Sequence, residues 1–248
     1  MSAGLRPGGD CLCRPWHYTH MQDPTPDSRR LQYLDALGVD VWRERQPPEA
    51  TDGADEPASE TVPADWDELQ ATVAACTRCA LHKTRTQTVF GVGSKSADWM
   101  IVGEAPGAEE DRRGEPFVGR AGKLLDEMLY AVGLDRQSVF IANVLKCRPP
   151  NNRDPSPDEA GQCRPYLDRQ IALVAPRLIL AVGRIAAQQL LGSDAPLGRL
   201  RGKVHAIGEP AVPVVVTYHP AYLLRSPTQK SKAWQDLCLA KDLFERQT

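Results

Sequence analysis

A three-layer α/β fold, with helices on both faces of a central, mainly parallel four-stranded sheet, follows from two features of the 248-residue sequence. Four short apolar, β-branched runs, Trp99–Val102, Val139–Val144, Leu178–Val182 and Val212–Thr217, have the unbroken hydrophobicity of strands buried on both faces. Helical patterns alternate with these runs, which argues a doubly wound sheet with right-handed crossovers.

Each element has its own signal. A short helix is expected just ahead of Cys76. In GKLLDEMLYAVG, Leu124, Leu125, Met128, Leu129 and Val132 fall on one side of a helix that Gly133 closes. Ser156, Pro157 and Glu159 form a capping-box start for a helix that can run to Ala175, where Pro176 stops it. Arg184–Leu191 and Lys230–Arg246 supply two more helices. The folded domain is therefore expected over residues 65–248.

Ahead of it the character changes. Residues 44–64 are rich in Pro, Glu, Asp, Ala and Thr with almost nothing to bury, the composition of a flexible linker. Residues 1–43 form an N-terminal extension in which Leu31, Leu34, Leu37 and Trp42 have roughly helical spacing, so a short amphipathic helix is expected. With no core of its own, that helix needs a surface to dock on, which makes a protein partner for this segment an expectation. Cys11, Cys13, His17 and His20 cluster, but Cys-x-Cys is tighter than structural zinc pairs and Pro15 and Trp16 interrupt it, so no zinc site is assigned. Met21 would make a sensible start, and residues 1–20 are read as a possible upstream extension.

No apolar run approaches the roughly eighteen residues of a membrane helix, and the first residues lack a signal-peptide core, so a cytoplasmic protein is expected, working as a monomer. Seven cysteines then read as ligands and buried thiols rather than disulfides. Net charge is −2, with 6 Lys+Arg against 11 Asp+Glu in residues 1–60, leaving 24 against 21 for the remainder. That mildly basic remainder permits nucleic-acid binding without demanding it.

In an open parallel sheet, ligands bind outside the carboxyl ends of the strands. Here the first strand runs into GEAPGAEED, the second ends at Asn143, the third ends at Gly183 and the fourth runs into His219. A carboxylate, an amide and an imidazole are thus expected on one rim. Cys76 and Cys79 form a Cys-x2-Cys pair, and Cys147 and Cys163 flank a Pro/Asn-rich loop, an all-thiolate set that zinc or an iron–sulfur cluster could use. Cys238, among Trp234, Leu237 and Leu239, reads as core.

GEAPGAEEDRRGEPFVGRAGKLLD, NVLKCRPPNNRDPSPDE and HPAYLLR resemble the successive motifs of family 4 uracil-DNA glycosylases, over roughly residues 70–246. The resemblance implies excision of uracil from DNA in base-excision repair, and a [4Fe–4S] cluster on Cys76, Cys79, Cys147 and Cys163. It implies that Asn143 reads the uracil edge and that Phe117 is the aromatic floor. His219 would donate to uracil O2 while Glu104 orients the attacking water. Gly103 and Ala105 would line the uracil, and Glu110 is either the alternative carboxylate or the group crowding uracil C5. Related glycosylases place Asp or Asn where Ala105 stands, and Ala221 replaces an expected serine. For DNA, Leu223 and Leu224 are expected to fill the gap left by the flipped base while Arg225 holds a phosphate. Lys146, Arg148 and Arg153 would form one basic edge, and Arg199, Arg201 and Lys203 a second.

Other classes fit less well. Neither the Rossmann nor the P-loop glycine fingerprint is present, since Phe117 stands where GRAGK would need its earlier glycine. A protein that binds or traps uracil-DNA with little turnover is the alternative, and an iron–sulfur protein with another task is disfavoured by Asn143 and His219 at the strand ends.

Overall fold

The computed structural model describes Leu37, Pro63 and residues 65–247. The expected front helix, apart from Leu37, almost all of the linker and the Cys11–His20 cluster lie outside the described residues. The chain divides into two units, Met1–Ala58 and Ser59–Thr248, and the fold below is that of the second.

The four expected strands form the middle of the sheet: β2 (Trp99–Gly103), β3 (Phe140–Asn143), β4 (Leu178–Val182) and β6 (Val212–Thr217). They are mutually parallel in the order β3-β2-β4-β6. Two short antiparallel strands, β1 (Val92–Gly93) beside β3 and β5 (Val204–Ile207) beside β6, extend it to six. The four-stranded expectation is corrected by these edges. Two residues give no readable period, and β5, on the edge, buries neither face fully.

Side chains on alternate positions enter two separate cores. On one face Met100, Val102, Phe140, Ala142, Ile179 and Ala181 pack with Leu167 of α4 (Pro157–Val174) and Leu190 of α5 (Arg184–Leu191). On the other, Trp99, Ile101, Ile141, Leu178, Leu180 and Val182 pack with Leu125 and Leu129 of α3 (Arg120–Tyr130) and Leu237 of α8 (Lys230–Glu245). Each of the larger of these side chains, removed from water, contributes about 1.5–3 kcal/mol before the entropy of ordering it, and the alanines less. This double burial is why the strands read as unbroken apolar runs. A third, smaller cluster joins α1 (Trp66–Ala75) to Leu81, Leu145, Tyr166 and the cysteines.

Helix ends follow local chemistry. Ser156 Oγ accepts from Glu159 N at 3.2 Å while Glu159 Oε2 accepts from Ser156 N at 2.9 Å, completing the expected capping box. Helix α3 ends at Tyr130, three residues before Gly133, because Gly133 N donates to Tyr130 O and Leu134 N to Leu129 O, closing the last turn. Among the described residues no helix is long and apolar enough to cross a membrane.

Candidate active site

The strand registers place the functional rim. Gly103 pairs with Asn143, and Val182 with Thr217, so all four parallel strands stop at one level. Beyond it the chain stays in step, with Leu145 N donating to Glu104 O and Gly183 N to Thr217 O. A cleft of about 410 Å³ opens over this edge, lined among others by Glu104, Ala105, Glu110, Phe117, Asn143, His219 and Arg225.

Its floor depends on two glycines. A Cβ on Gly103 would lie 2.4 Å from Asn143 Oδ1 and 2.6 Å from Phe117 Cζ, so only glycine lets ring and amide close over the strand end. A Cβ on Gly122 would lie 1.7 Å from Phe117 O, so the first turn of α3 rests directly on the Phe117 backbone. Phe117 itself has φ +56°, a left-handed conformation that costs a bulky residue energy and must be imposed by its surroundings. Arg136 helps to impose it, donating to Phe117 O at 3.2 Å and to Pro116 O, and pairing with Asp126 at 3.1 Å. The Phe117 ring stacks beside that of His219, centroids 5.7 Å apart at 28°.

Three polar groups face this floor in unlike states. Asn143 is 2 % exposed and its Oδ1 has no hydrogen-bond partner among the described residues. An acceptor left this way costs about 1–3 kcal/mol, so the site stores an unmet demand for a donor. His219 Nδ1 accepts from Ala221 N at 3.1 Å, capping α7 (Pro220–Arg225), which puts the ring proton on Nε2. Burial, reinforced by Arg225, lowers its pKa from 6.5 to about 4, so the imidazole is neutral at pH 7. Glu104 moves the other way. Burial and then the nearby Asp154 raise its pKa from 4.5 to about 7, against an opposing pull from Arg184. Gly183, at φ +105°, lets the chain turn under His219, whose Cβ would be 3.1 Å from any added Cβ.

Glu110 lines the cleft, but its carboxylate is engaged by backbone: Oε2 accepts from Gly107 N at 3.1 Å, Oε1 from Val118 N and Gly119 N at 3.0 and 3.1 Å. It ties the start of α2 (Ala108–Arg113) to the start of α3.

Several expected DNA contacts are corrected. Lys146 is 1 % exposed and cannot reach a phosphate; its Nζ donates to Asn143 O at 2.7 Å and Gln170 Oε1 at 2.6 Å. Leu223 is 1 % exposed, in the core beneath α7, and cannot fill a gap in DNA. Arg201 is occupied by the buried carboxylate of Asp236, at 3.0 and 2.9 Å, and by Lys232 O. Leu224, by contrast, is 37 % exposed, Arg225 lines the cleft, and Arg148 donates to Asn152 Oδ1 at 2.8 Å at the cleft's side. Arg153 also lines the cleft, held by Glu159 at 2.6 and 2.8 Å. Tyr222 and Asn152 line it too and were missed by sequence reading. The Asn-Asn dipeptide in PPNNRDP was their available signal for Asn152; nothing singled out Tyr222.

Cys76, Cys79, Cys147 and Cys163 come from three separate stretches of chain and line one cavity, together with Arg78, His82, Arg85 and Lys146. Cys147 Sγ accepts from Arg85 at 3.0 Å and Cys163 Sγ from Lys146 N at 3.3 Å. Burial raises the Cys147 thiol and pushes that of Cys163 up to about 11. All five described cysteines are free thiols, and no group of three or more Cys, His, Asp or Glu side chains among the described residues is arranged to hold a single metal ion.

An aromatic floor, an amide and a neutral imidazole thus gather beyond the carboxyl ends of a parallel sheet, and residues 90–238 match the Uracil DNA glycosylase superfamily. The chain belongs to that superfamily. Curated relatives include type-4 uracil-DNA glycosylases: one from Archaeoglobus fulgidus is 46 % identical over 68 % of this chain and 88 % of its own length. Others from Pyrobaculum aerophilum and Sulfurisphaera tokodaii are 45 % and 42 % identical over 71 % of this chain, and over 92 % and 84 % of theirs.

Proposed function

We propose that this chain is a uracil-DNA glycosylase of base-excision repair, hydrolysing the N-glycosidic bond of a uracil flipped out of DNA to leave an abasic site. The observation that carries the reading is the unpaired Asn143 Oδ1 beside the Phe117 ring. Uracil offers a donor at N3 and an acceptor at O4, which an amide held in one orientation meets with Oδ1 and Nδ2 respectively. Cytosine presents an acceptor at N3 and a donor at O4's position, so the same amide would face like groups twice.

The uracil stacks on Phe117, with Gly103 and Ala105 along its edge. As the bond breaks, negative charge collects on O2, where His219 Nε2–H donates without ever becoming an imidazolium. Glu104, in its ionised form, orients water towards the sugar cation. Glu110 holds the GEAPG turn and the Phe117 loop in register, and through that turn bounds the space at uracil C5. Outside the pocket, Arg225, Arg148 and Arg153 are the phosphate contacts and Leu224 enters the gap left by the flipped base.

The four cysteines are proposed to hold a [4Fe–4S] cluster. Supporting this are an all-thiolate donor set around one cavity and the cationic and N–H donors beside it, which suit the negative charge of a thiolate-ligated cluster. The cluster would supply a cross-link between the α1 region and the Cys147–Cys163 loop; iron must displace the thiol protons that burial favours. The enzyme is read as a cytoplasmic monomer, residues 65–248 being its glycosylase domain.

The test is incubation of the purified full chain with otherwise identical oligonucleotides carrying U, T or C, followed by alkaline cleavage. Strand scission at U alone is expected. No scission, with tight uracil-DNA binding, would instead establish the binding or trapping alternative.

A further inference from the structure

Helix α7 carries His219's neighbours outward, and its rotation decides what reaches DNA. Leu223 turns into the core, which leaves Tyr222 at the cleft wall with 37 % of its surface exposed. Its ring is not loose. It stacks on Tyr218, centroids 5.2 Å apart at 23°. Tyr218 in turn sits 5.3 Å from the Arg201 guanidinium, and Arg201 is clamped by Asp236, itself 0 % exposed. A buried carboxylate, a guanidinium and two phenol rings are thus layered from the core to the mouth of the cleft. The outermost ring is ordered before any ligand arrives, so little rotamer entropy remains to be lost on binding.

We infer that Tyr222 is a stacking platform for the base adjacent to the excised uracil. An aromatic face accepts any base, which suits a position beside a lesion that arises in any sequence context. Phe117, enclosed at 6 % exposure, takes the flipped uracil; Tyr222, at the rim, is placed for its unflipped neighbour. Arg201, expected from sequence to belong to a second basic edge for DNA, instead supports this stack.

This inference rests on the proposed function, and its test separates the two. The full chain is titrated onto single-stranded DNA containing 2′-fluoro-deoxyuridine, which resists cleavage because fluorine disfavours the sugar cation, with 2-aminopurine on its 5′ or 3′ side. Quenching at one neighbour is expected for the wild type. Tyr222→Ala should abolish it and weaken binding by about 5- to 150-fold, the range for loss of one base–aromatic stack. Tyr222→Phe should keep both quenching and affinity. Single-turnover cleavage of ordinary uracil DNA at saturating protein should stay within a few fold in both variants, so the defect appears in apparent KM rather than kcat. Cleavage by the wild type without quenching at either neighbour overturns the inference alone, whatever the variants do. So does a Tyr222→Phe variant as defective as Tyr222→Ala, since the hydroxyl would then be the active part. A wild type that neither binds nor cuts uracil DNA removes the proposed function and this inference with it.

Discussion

Asn143 and His219 line one cleft, and in the proposed reaction they would act at different moments. The unpartnered Asn143 acceptor would meet a donor that exists before the bond breaks, whereas the neutral His219 would meet charge that exists only as it breaks. His219→Ala should therefore slow single-turnover cleavage by about 10²–10³ while sparing equilibrium binding to uracil DNA. Asn143→Asp should impair both, because an ionised carboxylate repels O4 and cannot donate to it. Equal losses of binding and rate in His219→Ala would assign it to ground-state recognition. The pH profile tests Glu104. Between 4.5 and about 7 the folded chain keeps a proton on Glu104 that the unfolded chain has released, so this group's contribution to stability is lost as pH rises through that window. His219 acts oppositely: its contribution is lost as pH falls from 6.5 towards 4. Cleavage that needs the Glu104 carboxylate should decline below a pH of about 7, and Glu104→Gln should be slow and show no such limb. A limb unchanged in Glu104→Gln would put the titrating group elsewhere.

At the scale of elements, the parallel strands were legible because both faces of each are buried, and the chemistry at their ends followed from the register. A carboxylate after β2, Asn143 and His219 could be placed on that rim from the rule alone, whereas Asn152 and Tyr222, on the loop and helix beyond it, could not. What escaped was helical rotation. HPAYLLR names two leucines, but adjacent residues point about 100° apart on a helix, so only one of Leu223 and Leu224 can face out. Leu223→Ala should cost about 2–5 kcal/mol of stability as a core truncation, visible as a lower Tm. Leu224→Ala should leave Tm nearly unchanged and weaken binding to duplex uracil DNA. The reverse pattern would mean that α7 sits one position out of phase. Lys146 was misread for a related reason: next to Cys147 and Arg148 it resembles a basic edge, and its partner Gln170 is remote in sequence and only the packing of α4 brings it near.

Across the whole molecule, Gly103 leaves no room for a side chain between the strand end, the Phe117 ring and the Asn143 amide. Gly103→Ala should displace the Phe117 ring or the Asn143 amide, lowering cleavage sharply with a smaller effect on Tm. The four thiols have a wider consequence, best put in terms of the chain as a polymer. If they share one cluster, Cys79 and Cys147 close a ring of roughly seventy residues, restricting the unfolded chain by about 4 kcal/mol on the disulfide scale. Gly103, Glu104, Phe117 and Asn143 lie on the ring; His219 lies outside it, on the open tail. On the proposed roles, the groups that would read uracil and orient the water would then lie inside a closed loop, and His219, the proposed donor to the leaving base, would not. Stripping iron with a chelator under reducing conditions should raise amide exchange first along the ring and the Cys147–Cys163 loop, while β4 and β6 keep their protection until global unfolding. Uniform loss of protection over all the strands would show that the ring and the tail fold as one cooperative body, with the knot of sulfur serving both alike.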